Sequence, residues 1–378
     1  MALSKIDVSN MLDETLPVAQ GGTGVTSTPF PSNYSPNLNF RNIIINGDMS
    51  VSQRSTSVTG ITNGSSGYHT VDRFQFAESG SPSAVFTQSQ STDVPTGQGF
   101  AKSLKMDCTT AQGSLGAGDL IRIRTTFEGQ NLQYLKKGTS SAESLTMSFW
   151  VKSSKTGTYI CQLLDKDNSR SISKSYTISS ADTWEKKTIT YDGDTTGAFT
   201  NDNGSSLQVI WWLGAGSGSS SGTLQTSWGA TTTADTAVGQ VNFADSTSNE
   251  WYITGVQLEA GAASDFEFLP VDVNLNRCQR YFELQKTSYF VVSRYNSSYS
   301  YGAMNYFKTE KRATPTVGKL NGGTTVQAHG VGESGWSADD LTVVLIETTG
   351  CAAQVTTGSS YSSWFCGLDS PIKIDAEL

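Results

Sequence analysis

Short apolar runs alternate with polar residues along most of the chain, and clusters of Gly, Ser, Thr and Asn separate them. Alternation with a period of two is typical of strands that are buried on one face. Two runs bracket the set, residues 41–54 (RNIIINGDMSVSQR) and residues 251–261 (WYITGVQLEAG). We predict that they are the first and last strands of one antiparallel β-sandwich, a jelly roll, over residues 41–271.

The pattern changes after residue 271. Leu275, Cys278 and Phe282 recur with helical spacing, which predicts a short linker helix over residues 272–285. Residues 286–378 return to strand-like runs and predict a second, small β-sandwich. Residues 1–40 are too few to fold alone and contain a Pro, Ser and Asn stretch, so we expect an attachment segment followed by a linker.

Composition agrees with an all-β chain. Only 36% of its 378 residues are hydrophobic and 16% are charged, while 37 are Gly. The formal net charge of -8 argues against nucleic-acid binding, which needs basic surfaces. No apolar run is long enough to insert into a membrane, and the N-terminus lacks the apolar region of a secretory signal.

Candidate catalytic groups are few. The chain has two histidines, His69 and His329, and no zinc-binding motif. Paired aspartates, at 165 and 167, 192 and 194, and 339 and 340, could in principle act on a glycosidic bond, but they occupy predicted turns, where Asp is common. We therefore predict a protein that is not an enzyme.

Metal binding has one weak candidate in the sequence itself. Residues 192–203 (DGDTTGAFTNDN) resemble a calcium loop, with Asp192 and Asp194 at ligand positions, but the twelfth residue is Asn203 and not Glu. An ordinary hairpin loop is the alternative. The five scattered cysteines predict reduced thiols, and a Cys351–Cys366 pair is the other possibility.

Aromatic side chains are the candidate sugar-binding groups. Trp211 and Trp212 are adjacent in a predicted strand and should face opposite sides, whereas Trp150 and Trp184 fit core positions. Tyr and Trp among Ser, Asn and Gly make adaptable recognition surfaces. The predicted ligand-binding residues are Trp228, Tyr295, Tyr299, Tyr301, Trp336, Tyr361 and Trp364.

The ordered set of motifs resembles the tail fibres and receptor-binding proteins of tailed bacteriophages. It comprises GGTG at 21–24, NIIINGDM at 42–49, VDRF at 71–74, SFWVK at 148–152, ITGVQLE at 253–259 and CQRYF at 278–282. The resemblance covers residues 15–285. It implies a homotrimeric virion protein with a jelly roll like that of carbohydrate-binding modules, made in the host cytoplasm.

The same resemblance implies partners and a possible metal. Residues 1–40 would attach to other tail or adaptor proteins, and the C-terminal domain would be distal and contact host polysaccharide or another receptor. A structural calcium is possible, with Asp48 and Glu259 as ligands. The alternatives are a decoration fibre without receptor role, a polysaccharide-degrading tailspike and a secreted carbohydrate-binding module. The absence of internal repeats favours a short fibre or tip, or a fibre-like decoration of another part of the particle.

Overall fold

The computed structural model describes residues 40–285, 289–294, 299–302, 305–319, 325–330, 337–344, 346–356, 363–367 and 372–378. The predicted attachment segment 1–40 thus lies almost wholly outside the described residues. Residues 42–378 form one compact unit. Among the described residues, no helix is long and apolar enough to cross a membrane.

Strands account for most of the regular structure, as an all-β chain requires. Those up to residue 260 are β1 Ser57–Ile61, β2 Gln75–Ser79, β3 Val85–Ser91, β4 Ser103–Thr110, β5 Leu120–Glu128, β6 Leu145–Ser153, β7 Gly157–Asp165, β8 Arg170–Ile178, β9 Glu185–Tyr191, β10 Ser205–Ala215, β11 Gly229–Ala230 and β12 Glu250–Ala260. Later strands are β13 Phe282–Gln285, β14 Tyr289–Arg294, β15 Tyr299–Gly302, β16 Asn305–Tyr306, β17 Thr316–Lys319, β18 Thr325–Gly330, β19 Ser337–Val344, β20 Gly350–Thr356, β21 Ser363–Gly367 and β22 Ile372–Asp375.

Two six-stranded antiparallel sheets form the predicted sandwich. The first sheet has the order β1-β3-β4-β12-β6-β9 and the second β11-β8-β7-β10-β5-β2. One apolar core lies between them, with Phe149 and Trp251 from the first sheet and Trp211 from the second. Alternation within each strand produces this core, since every second side chain points inward. The all-β prediction is confirmed.

The opening motif is not a strand, contrary to our prediction. Positive φ angles at Asn46 and Met49 bend residues 42–49 out of extended geometry. The motif nevertheless follows β12, since the Ile43 amide donates to the Leu258 carbonyl and the Val256 amide donates to the Gly47 carbonyl, each over 2.9 Å. The two bracketing motifs therefore meet, although only the second one is a strand.

The predicted helix over 272–285 is shorter than expected. Helix α1 is the single turn Ser217–Ser220, and helix α2 spans Val271–Gln279. After it, β13 pairs with β22 near the end of the chain. That distant partner holds residues 282–285 extended, so the helical spacing of Phe282 is coincidental.

The C-terminal residues form two further antiparallel sheets, with the orders β13-β22-β17 and β15-β14-β21-β18-β19-β20-β16. The last residues return to the sandwich, where Glu377 pairs with both Arg54 and Arg73. The Arg73 guanidinium also stacks on Tyr281, 3.5 Å from the ring centroid. Ionic and aromatic contacts thus connect the end of the chain to the jelly roll.

Candidate functional site

Strand alternation places a group of aromatic and charged side chains on the outer face of the first sheet. Trp251 and Ile253 of β12 point into the core, so Tyr252 between them points outward. On the neighbouring strands, Lys152 of β6 and Lys105 of β4 lie directly opposite Tyr252. Three strands of this sheet therefore carry an outer surface with Tyr252 at its centre.

Trp184, just before β9, completes an aromatic platform with Tyr252. The two rings are 6.1 Å apart at an interplanar angle of 65°. The Lys152 Nζ lies near both, 4.3 Å from the Tyr252 centroid and 5.8 Å from the Trp184 centroid. Trp150 lies on the same outer face of β6, and both tryptophans are only half-buried. We call Trp150, Lys152, Trp184 and Tyr252 the aromatic platform.

Carboxylates hold the platform in place. Asp93 accepts a hydrogen bond from the Trp184 Nε1 over 3.0 Å and pairs with Lys152. Glu250 accepts one from the Tyr252 hydroxyl over 2.7 Å and pairs with Lys105 over 2.6 Å. Burial alone would raise the pKa of Asp93, but the hydrogen bonds from Lys152 and Trp184 outweigh it and lower that pKa.

Glu250 follows the same rule, since hydrogen bonds from Lys105 and Tyr252 lower its pKa against the effect of burial. Lys152 of the platform and the neighbouring Lys105 therefore each have a carboxylate partner, and these four charges cancel. Half-exposed indole rings can stack on apolar C–H groups, and the flanking carboxylates and ammonium groups can hydrogen-bond hydroxyls. This combination suits a neutral, hydroxyl-rich ligand.

The structure places the predicted ligand-binding aromatics elsewhere or leaves them undescribed. Trp228 is half-buried, its Nε1 donates to the Asp192 carbonyl over 2.8 Å, and the Lys137 Nζ lies 5.6 Å from its ring. Tyr299 and Tyr301 lie in β15 and Trp364 in β21. Tyr295, Trp336 and Tyr361 lie outside the described residues. Ligand binding by these residues stays a prediction.

The calcium candidates have protein partners. Asp194 binds Arg170 through two hydrogen bonds of 2.8 and 2.9 Å and pairs with Lys137 at 3.0 Å. Asp192 is exposed. Asp48 accepts from Asn274 and Glu259 from Ser264. Within the described residues no group of three or more His, Cys, Asp or Glu could hold a metal ion. Calcium binding therefore stays a prediction.

Of the paired aspartates that could have served catalysis, Asp165, Asp167 and Asp194 are engaged in structural contacts. Asp165 is buried and pairs with Lys137 over 2.5 Å, and Asp167 accepts from the Thr200 amide over 3.0 Å. Asp339 and Asp340 lie within β19 and not in a turn. His69 contacts the Ser65 carbonyl over 2.7 Å. Cys108, Cys161, Cys278 and Cys351 are buried free thiols.

Sequence reasoning missed the platform, although a usable signal was present. We predicted that Trp150 and Trp184 were core residues, but both are half-buried on an outer face. Phe149 and Val151 flank Trp150 and point inward, so the alternation of side chains along a strand by itself places Trp150 on the outer face. Trp184 precedes its strand, and no local pattern places it beside Tyr252.

Comparisons with known proteins give likenesses of low similarity. No protein-family model matches the chain, and no curated protein matches it. Among solved structures, the enzymatically active domain of bacteriophage CBA120 tailspike protein 4 is 13% identical with a TM-score of 0.30, and the match covers 58% of this chain and 22% of that one.

Two further solved structures are similar at the same low level. A putative sugar binding protein from Bacteroides thetaiotaomicron is 12% identical with a TM-score of 0.32, over 58% of this chain and 100% of that one. The family 11 carbohydrate-binding module of a Clostridium thermocellum cellulosomal cellulase is 9% identical with a TM-score of 0.27, over 51% and 90%. TM-scores this low carry no argument about function.

Proposed function

We propose that the protein binds carbohydrate through the aromatic platform and acts as an attachment protein of a phage particle, without cleaving its ligand. The observation that carries the binding proposal is the half-exposed Trp184, which Asp93 orients beside Tyr252 and Lys152. The carboxylates beside the platform, Asp93 and Glu250, are paired with lysines. They therefore support recognition and have no free proton to donate to a glycosidic oxygen.

The virion role rests on the motif resemblance and is the further-reaching part of the proposal. In it the protein is a homotrimer that residues 1–40 join to the particle, and it binds polysaccharide of the host surface. Sedimentation at micromolar concentration is expected to give three times the mass of one chain. A monomer would contradict this assembly.

Binding to purified host-surface polysaccharide tests the platform directly. We expect Trp184→Ala to weaken binding about tenfold or more, because it removes a stacking contact that contributes roughly 1–2 kcal/mol of binding free energy. Tyr134→Ala is the matched control, since Tyr134 is 45% exposed and lies outside the strands of both sandwich sheets. Equal affinity of the Trp184 and Tyr134 variants would refute the assignment, and new reducing ends in the polysaccharide would refute the non-enzymatic role.

A further inference from the structure

Two arginines lie next to each other on the outer face of the second sheet. Arg122 and Arg124 are alternate residues of β5, on the face opposite to the inward-pointing Ile121 and Ile123. On β10, Trp212 lies opposite Arg122 and Ile210 lies opposite Arg124. Alternate strand residues are roughly 7 Å apart, so the two positive charges are close.

Neither arginine has an acidic partner among the residues that the structure describes. Burial, followed by the positive charge of Arg124, lowers the pKa of Arg122 to about 10. Burial also lowers the pKa of Arg124, and the partial opposing effect comes from Tyr68 and not from a carboxylate. The Nε of Arg122 is buried without a hydrogen-bond acceptor.

Three other cations that are buried or half-buried are neutralised by carboxylates. Arg73 pairs with Glu377, Arg280 with Glu128 over 2.7 Å, and Lys311 with Glu283 over 2.8 Å. Arg122 and Arg124 differ from these three, because two adjacent half-buried positive charges have no carboxylate beside them in a chain with a net charge of -8. Leaving a half-buried charge unpaired costs stability, and a ligand that supplies the counter-charge would offset that cost.

The surroundings of the pair are polar and fixed. Arg124 Nε donates to the Gln75 side chain on the edge strand β2. The Trp212 Nε1 donates to Gln162 over 3.1 Å, and the Arg122 guanidinium lies 5.1 Å from the Trp212 ring. Hydrogen bonding and stacking thus restrain both guanidinium groups before any ligand arrives, which lowers the entropic cost of binding.

We propose that Arg122 and Arg124 form a second binding site, which takes the carboxylate or sulfate group of an acidic saccharide. Guanidinium groups form paired, charge-assisted hydrogen bonds with such oxyanions, and partial burial strengthens them. The site lies on the opposite outer face of the sandwich from the aromatic platform. That the oxyanion belongs to a saccharide rests on the proposed function, whereas the site itself does not depend on the platform.

Calorimetric titration of the full chain tests this site with three oligosaccharides of equal length, one bearing uronic acids, one bearing sulfate esters and one neutral. We expect at least one acidic oligosaccharide to bind about tenfold tighter than the neutral one. Whichever of the two acidic oligosaccharides binds more tightly identifies the preferred anion. Arg122→Gln and Arg124→Gln should each weaken acidic binding about tenfold, whereas Lys166→Gln, which removes an equal charge from an exposed position, should change it less than twofold.

Two additional readouts separate this site from a structural role and from the platform. Without ligand, Arg122→Gln should melt at the wild-type temperature or above, because it removes an unpaired charge. Trp184→Ala should keep the preference for the acidic ligand. A wrong assignment of the aromatic platform would therefore leave the test of Arg122 and Arg124 unaffected. Equal binding of all three oligosaccharides, or equal losses in the Arg122, Arg124 and Lys166 variants, would overturn the proposal.

Discussion

Glu128 shows how single residues join the jelly roll to the segment that follows it. Its carboxylate is fully buried and accepts hydrogen bonds from Arg280, at 2.8 and 2.7 Å, and from the Tyr281 hydroxyl at 2.6 Å. Burial alone would raise the pKa of Glu128, but these hydrogen bonds outweigh burial and lower it. Arg280 is the one cation that pairs with this carboxylate among the described residues, so it supplies the counter-charge that burial requires.

Arg280→Met is expected to lower the free energy of unfolding at pH 7 by about 3–5 kcal/mol, because it leaves Glu128 buried without a counterion. The pKa of Glu128 would then rise above its unfolded value, so the loss should shrink as the pH falls. Urea denaturation at pH 7 and pH 5 measures both effects. The control is Glu128→Gln with Arg280→Met, which should be more stable than Arg280→Met alone, and equal stability would contradict the argument.

His69 gives a residue-scale prediction about pH. Burial lowers its pKa below the usual 6.5, and nearby Arg54 acts in the same direction, against the hydrogen bond to the Ser65 carbonyl. The unfolded chain therefore binds a proton more readily than the folded one. This contribution to stability is complete above about pH 6.5 and is lost as the pH falls through the lower folded pKa.

An NMR titration of the His69 imidazole should give a midpoint below 6.5. Only two histidines are present, so His69→Gln assigns the resonance by its disappearance. A midpoint at or above 6.5 would show that the side chain is more solvated than the structure indicates.

Individual side chains were predictable from the sequence where strand parity alone decides. Trp211 lies in the central core and Trp212 on the other side of the sheet, as their adjacency predicted, although both are buried. The Arg122 and Arg124 pair and the Trp184 contact depend on neighbouring strands and loops. Nothing in the local pattern indicates that a charge has no partner.

At the scale of elements, the contact between the opening motif and β12 depends on Gly47. An added Cβ there would lie 2.0 Å from the Val256 carbonyl oxygen. Gly47 also accepts the Val256 amide hydrogen bond. A side chain at this position must therefore separate the opening motif from the last strand of the sandwich.

Gly47→Ala is expected to lower the free energy of unfolding by about 1–3 kcal/mol through this steric conflict. Gly113→Ala is the matched control, since its Cβ would meet no atom within 4 Å. That control should stay within about 0.5 kcal/mol of the wild type. Thermal melting compares the two variants, and equal melting temperatures would show that residues 42–49 do not pack tightly on β12.

Most sandwich strands could be predicted from alternation, but their partners could not. The opening motif contains three consecutive isoleucines and was predicted as a strand, yet positive φ at Asn46 bends it. The helix over 272–285 was predicted too long because residues 282–285 pair with β22, which lies about ninety residues further along the chain. Local sequence carries little information about such long-range pairing.

At the scale of the whole molecule, the sandwich presents two outer faces of different character. On the first sheet, Lys152 of the aromatic platform pairs with Asp93, and the neighbouring Lys105 pairs with Glu250. The second sheet presents Arg122 and Arg124 without an acidic partner among the described residues. The overall charge of -8 gave no indication of this difference, because it averages over surfaces that act separately.

The central claim is that the aromatic platform holds sugar rings, and a crystal structure with a bound neutral oligosaccharide from the host-surface polysaccharide tests it most directly. We predict a pyranose ring stacked on Trp184, with its hydroxyls hydrogen-bonded to Asp93, Lys152 or Glu250. A saccharide bound only at another surface, with the face of Trp184 left free, would contradict the account.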